Sequence, residues 1–283
     1  MNFSANNIFI RVKDHSVSGE EFELLLDDEL QLLKTNPQPT AEVLSRYYES
    51  DDYISHTDGK RTLFEKAYHI VKQKALRDKI AIVEKYSTKG TLLDIGAGTG
   101  DFLVTANNSG WNTTGIEPSG KARSIAVSKG VKFQEDLSDI SDNSFDVVTM
   151  WHVLEHVPDV EMQIRELRRI AKPDGTIIIA VPNFKSYDAK YYGRHWAAYD
   201  VPRHLWHFSK TAIEKLFSRE GMELIKVLPM KFDSFYVSLL SEKYQTGKMS
   251  FVKGFLIGMK SNLKAAKNNE YSSHIYIIKN TQN

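Results

Sequence analysis

The chain has no cysteine, which removes disulfides, thiolate metal sites and cysteine nucleophiles together. It has no long apolar run either. Stretches such as residues 177–181 are far too short to span a bilayer, so no membrane insertion is expected. Charge of one sign is also missing: 37 basic residues stand against 36 acidic ones. A net charge of +1 gives no electrostatic footprint for nucleic acid, and none is expected as a partner. The opening Met1-Asn2-Phe3-Ser4-Ala5-Asn6-Asn7 has no basic stretch followed by an apolar one, so the expectation is a cytoplasmic protein.

What is present supports a full core. Of the 283 residues, 41% are apolar and 26% charged, an ordinary balance for one large or two small domains. Organisation changes near residue 87. Residues 1–86 read as a partly helical N-terminal extension covering the cofactor site. In it Asn36-Pro37-Gln38-Pro39-Thr40 reads as a connection, and Leu63, Ala67, Ile70, Val71 and Lys74 share a helical face. Residues 87–283 alternate strands and helices, the signature of a parallel sheet covered on both faces. Strands are expected at 91–95, 113–117, 131–134, 145–150, 176–181, 223–228 and 274–279. Helices are expected to begin near Asp101, Ser119, Asp159 and Ser209, with Ser119 and Ser209 as N-caps. Two long connections stand apart, because such lengths are uncommon without a function. Residues 182–208 are dense in aromatic, His and Arg residues and read as a substrate cap. Residues 229–272 carry helical patterns of their own, with Phe232, Phe235, Tyr236, Leu239 and Leu240 spaced for one face that reads as packing.

The run Thr91-Leu92-Leu93-Asp94-Ile95-Gly96-Ala97-Gly98-Thr99-Gly100-Asp101 carries the most information. An apolar strand stops at an acidic residue, and glycines then take every second position before a helix begins. Glycine permits positive φ and close approach of backbone to a ligand. A dinucleotide fingerprint needs a small residue at its sixth place; here that place is Asp101 and the third glycine comes one residue early. The pattern argues for a nucleoside ligand without a pyrophosphate, and against NAD-linked reduction. Glu117, 21 residues after Gly96, ends the second strand at the spacing that suits two ribose hydroxyls; Pro118 follows it. After the third strand, Asp136 offers an acceptor for an exocyclic amine and Leu137 an apolar wall for a base, with Glu135 and Asp139 as register alternatives.

The fourth strand continues as Phe145-Asp146-Val147-Val148-Thr149-Met150-Trp151-His152-Val153-Leu154-Glu155-His156-Val157, and Lys172-Pro173-Asp174-Gly175 precedes the fifth. With these segments in order, residues 85–228 resemble the class I S-adenosylmethionine-dependent methyltransferases. The resemblance implies an α/β, Rossmann-like seven-stranded sheet whose final strand runs antiparallel. It implies that Asp94 and Gly96, in the turn with Ala97, Gly98 and Gly100, serve the methionine amino group. It places Glu117 and Pro118 at the ribose, Asp136 and Leu137 at adenine, and Trp151 at the methionine side. Tyr68 and Lys72 are the candidates for the methionine carboxylate. The flanks resemble a bacterial subgroup that methylates small molecules, including ubiquinone-type O-methyltransferases and enzymes of surface-sugar pathways. The segment from Trp196 to Ser209 is similar to that subgroup's cap. Some relatives carry an N-terminal C-x-x-C knuckle; here Phe22 to Thr35 contains no cysteine.

Methyl transfer from a sulfonium asks the protein to align donor and acceptor and to remove a proton from a hydroxyl or ammonium. Histidine suits the second task. His152, His204 and His156 are the candidate bases. His152 to His156 also spells H-x-x-E-H, but it directly follows a strand rather than lying on a helix. No metal is expected, with a divalent ion on His152, Glu155 and His156 as the alternative. Arg203 reads either as a contact for an anionic or hydroxylated acceptor or as a partner of Asp200. Trp196 and Tyr199 read as acceptor contacts or as the cap's own core. The expected activity is O-methylation of a quinone-like, sugar or other hydroxylated metabolite. N- or C-methylation, and a non-catalytic module of the same fold, are the alternatives.

Overall fold

The computed structural model describes residues 1–48 and 63–281, with backbone alone for residues 41, 45 and 63–71. Its first elements are strands: β1 (Ile8–Lys13), β2 (Glu21–Asp27) and β3 (Leu32–Asn36), an antiparallel meander. The partly helical extension of the sequence reading is therefore stranded over residues 8–36. Its leucines are consecutive because both faces are covered: Leu24, Leu25, Leu32 and Leu33 are all buried. Helix α1 (Leu63–Tyr86) follows as one continuous helix.

The central sheet takes β4 (Thr91–Ile95), β5 (Asn112–Ile116), β6 (Phe145–Trp151), β7 (Ala171–Pro182), β9 (Met222–Pro229) and β10 (Ser273–Asn280) in the order β5-β4-β6-β7-β10-β9. The first four are parallel; β10 runs antiparallel between β7 and β9. The expected seventh strand at 131–134 is reduced to one parallel bridge, Gly115 to Phe133. Helices α2 (Asp101–Asn108), α3 (Gly120–Ser128), α4 (Val160–Ile170) and α6 (Lys210–Arg219) connect the strands. Ser119, Asp159 and Ser209 each accept a backbone N–H at a helix start, satisfying donors that the first turn leaves unpaired. Val147, Val148, Ile177, Ile178, Ile179 and Ile277 are fully buried, as strands covered on two faces must be.

Between β7 and α6 lie a short helix α5 (Tyr187–Tyr192) and the two-residue strand β8 (Trp206–His207). Strand β8 pairs with β3 and completes the N-terminal sheet. Phe22, Leu24 and Leu33 then share one apolar cluster with Phe184, Tyr192, Trp196 and Tyr199, so the N-terminal strands and the cap are packed as a unit.

Helices α7 (Asp233–Thr246) and α8 (Phe251–Asn268) fill the connection before β10. Their contact corrects the sequence reading. The buried face of α7 is Ser234, Ser238, Ser241 and Glu242, while Phe232 and Tyr236 are more than half exposed. A Cβ on Gly254 would meet the Leu239 backbone at 2.9 Å and one on Gly258 the Ser234 carbonyl at 2.8 Å, so the two helices touch at backbone distance.

Candidate active site

The site gathers at the carboxyl ends of β4, β5 and β6, where open α/β sheets place their ligands. Gly96, Gly98 and Gly100 all have left-handed φ, at +73°, +53° and +75°. The N–H groups of Gly96 and Ala97 both donate to the Ile116 carbonyl, which ties the turn to the end of β5. A Cβ on Gly96 would run into the Val153 side chain, whereas one on Gly98 would meet nothing within 4 Å. Gly98 thus leaves an open shelf. Over it stands Glu117, whose carboxylate accepts from the Gly98 N–H at 2.7 Å and the Ser119 N–H at 2.8 Å. A carboxylate has further lone pairs, so it can still take two hydroxyl donors. Pro118 beside it is exposed.

Asp94, at the inner end of β4, is buried and accepts from the Thr149 hydroxyl at 2.6 Å. Burial pushes its carboxyl up to about 7, against the pull of Thr149 and Lys79. Lys79 on α1 lies 4.4 Å from the centroid of the Trp151 ring, and its own burial pushes it down. Trp151 ends β6 half-buried, with its indole N–H lacking a partner and its ring edge-on to Phe102. Lys72 spends its ammonium on Asp101 at 2.6 Å, across the turn from the Lys129–Asp101 pair at 2.7 Å. Tyr68 is on α1, but its side chain lies outside the described residues. Asp136 is exposed and caps the turn Leu137–Asp139, accepting from the Ser138 N–H at 2.9 Å; Leu137 is half-buried. Glu135 pairs with Arg123 at 2.6 Å and so turns away.

The three histidines differ sharply. His152 has φ +58°, and its ring lies between two carboxylates: Nδ1 is 3.2 Å from Glu155 and Nε2 3.1 Å from Asp233. Burial alone would lower its pKa, but the hydrogen bonds to Asp233 and Glu155 outweigh that and carry it to about 10. It is an imidazolium at neutral pH. His156 Nδ1 lies 3.0 Å from the Arg203 carbonyl and His204 Nδ1 2.9 Å from the Ala198 carbonyl. A carbonyl can only accept, so both Nδ1 atoms carry a proton, and Nε2 is the ring atom of each that points elsewhere. Burial and the neighbouring His156 push His204 down to about 4. Donor atoms of Glu155, His156 and His204 lie within 4.8 Å of one another, and Glu155 Oε2 is buried without a partner. Such a set can pass a proton or hold a cation, and its third member is His204 rather than His152.

The expectation that Arg203, Trp196 and Tyr199 meet the acceptor does not match their placement. All three are 2% exposed. The Arg203 guanidinium donates to Asp200 at 2.6 Å, to Asp14 at 3.1 Å and to the Tyr47 carbonyl at 2.9 Å. Trp196 donates from its indole to Asp188 at 2.7 Å and packs edge-on against Tyr199. Sequence reasoning missed Thr149, Lys79 and Asp233. The first had a visible signal, a hydroxyl in an otherwise apolar strand; the other two depend on tertiary placement.

Residues 68–227 match the model of a family described as a methyltransferase domain. The chain belongs to that family. This confirms the class I S-adenosylmethionine-dependent assignment made on the motifs, and the glycine shelf with Glu117 beside it fits that cofactor. A ubiquinone biosynthesis O-methyltransferase from Aeromonas salmonicida is 29% identical over 169 residues, 56% of this chain and 71% of that protein. Among solved structures, an S-adenosylmethionine-dependent methyltransferase from Archaeoglobus fulgidus superposes with a TM-score of 0.52 at 16% identity, covering 77% of this chain and 98% of that one. The [4+2]-cyclase SpnF gives the same TM-score of 0.52 at 18% identity, over 79% of this chain and 84% of its own. A fold that also serves a cyclase does not define the acceptor.

Proposed function

We propose that this methyltransferase acts on a small hydroxylated molecule and forms an O-methyl ether, with His156 as the group that takes the hydroxyl proton. When bound, S-adenosylmethionine supplies an electrophilic methyl on a sulfonium. Glu117 holds the ribose hydroxyls, Asp94 the methionine ammonium, and Asp136 with Leu137 the adenine. His152, already protonated between Asp233 and Glu155, cannot accept a proton and instead braces the chain after β6.

The observation that carries the reading is the orientation of the His156 ring: with Nδ1 donating to the Arg203 carbonyl at 3.0 Å, Nε2 is the ring atom left to face an acceptor hydroxyl. His156 is only half-buried, unlike His204, and so stands nearer an incoming acceptor. The Aeromonas relative's name, a ubiquinone biosynthesis O-methyltransferase, supports O-methylation of a quinone-like acceptor. The test is S-adenosylhomocysteine release with matched catechol, sugar and amine acceptors. A hydroxylated acceptor is expected to turn over, activity should persist after dialysis against a chelator, and His156→Gln should lower kcat by roughly 10²–10⁴-fold with cofactor affinity unchanged. Equal kcat in the variant, or turnover of amines alone, would overturn the reading.

A further inference from the structure

The α7–α8 hairpin is built inside out for a water-soluble element. Serines and glycines make the closest part of its internal contact, and most of the large apolar side chains of α8 point to solvent. On α8, Phe251, Val252, Phe255, Leu256, Met259 and Leu263 are all exposed, Val252 to 74% and Leu263 to 63%. At 100° per residue these six cover an arc of about 140°. Phe232 and Tyr236 of α7 add two more exposed rings, and Phe235 stacks on Phe255 with centroids 5.1 Å apart. Scattered apolar side chains on a surface are ordinary, but a continuous face of this kind marks a place of contact.

Charge names the partner. Lys260, Lys264 and Lys267 occupy the adjoining arc of α8, about 60° wide, with Lys253 beside them paired to Glu242 at 3.1 Å. Between residues 231 and 268 seven lysines stand against only Asp233 and Glu242, a net of +5, while the remainder of the chain carries −4. Both acids are turned inward, Asp233 to His152 and Glu242 to Tyr192 and Lys253. A second copy meeting this face with the two α8 helices antiparallel would set basic stripe against basic stripe. An anionic lipid surface offers the complement to both arcs, apolar interior for the first and negative headgroups for the second.

We infer that the α7–α8 hairpin binds the chain peripherally to anionic membranes, with α8 lying in the plane of the interface. Spanning is not involved: among the described residues no helix is long and apolar enough to cross a membrane.

Sedimentation with vesicles tests this on the full chain. Vesicles of phosphatidylcholine and phosphatidylglycerol in equal parts should pellet the protein at low salt, those of phosphatidylcholine alone should pellet far less, and raising ionic strength should release it. Leu256→Glu and Leu263→Glu change exposed positions, so melting and S-adenosylhomocysteine binding should stay as in the parent. Binding to anionic vesicles should weaken by about tenfold or more in each. Lys267→Glu, away from the apolar arc, should lose the preference for anionic vesicles while remaining folded. The proposal is overturned if the parent chain stays in the supernatant at low salt or if Leu256→Glu and Leu263→Glu pellet as well as it does. It is equally overturned if light scattering finds a dimer that these variants break.

Discussion

His152 donates from Nε2 to the Asp233 carboxylate at 3.1 Å, joining the end of β6 to the first residue of the α7–α8 hairpin. The pKa of His152 stands near 10 in the fold against an ordinary 6.5. Stability from this contact is therefore fully present below about pH 6.5 and is lost as pH climbs towards 10. In Asp233→Asn the melting temperature should be lower at pH 6.5, and its alkaline decline should be shallower and end at a lower pH. Calorimetric melts of both proteins between those limits decide the matter. Superimposable curves would mean that the pair contributes nothing.

Cofactor binding should itself depend on pH. Asp94 is held near pKa 7 by burial, so its carboxyl still carries protons around neutral pH before a cation arrives. An ammonium at this carboxylate favours the ionised form, so S-adenosylmethionine should bind more tightly as pH rises through about 7 and should release a proton. Titration calorimetry in buffers of different ionisation enthalpy reads that proton directly. Asp94→Asn should bind more weakly and release none.

Two glycine variants separate sterics from backbone strain. Gly96→Ala forces a methyl into Val153 and should lose both stability and cofactor binding. Gly98→Ala meets no atom and carries only the left-handed penalty of about 1–2 kcal/mol. Its urea midpoint should fall modestly, while cofactor affinity drops by about tenfold or more because the shelf is filled. A Gly98→Ala protein with unaltered affinity would show that no ligand lies over that residue.

Arg203→Met should act on stability rather than on acceptor affinity. The guanidinium is buried between Asp14 and Asp200, and removing one member of such a set leaves carboxylates unpaired at a cost of about 3–5 kcal/mol. Urea unfolding measures the loss. A rise in acceptor KM with no change in stability would return Arg203 to the acceptor.

Much of the frame was legible because its signals are local. The glycine turn, the Ser119 and Ser209 caps and the apolar strands are written within a few consecutive residues. The N-terminal strands were obscured because Leu24-Leu25-Leu26 lacks the alternation of a half-buried strand. Asp200 as partner of Arg203 could be read from three residues' separation, but Asp14, 189 residues away, could not. Periodicity found the apolar face of Phe232 and Tyr236 without telling whether protein or solvent would meet it. His152, His156 and His204 looked alike in sequence; only tertiary placement sets His152 between two carboxylates and turns His156 and His204 onto backbone carbonyls.

Strand β8 hydrogen-bonds to β3 through Lys34 and Leu33, and the Thr35 hydroxyl donates to the His204 carbonyl at 2.6 Å. The cap is thus the fourth strand of a sheet whose other three come from the opposite end of the chain. A chimera that grafts residues 182–208 onto another methyltransferase, without residues 1–40, would leave that edge bare and the Tyr199 cluster open. For engineering, these two distant segments constitute a single packed unit that has to be moved whole.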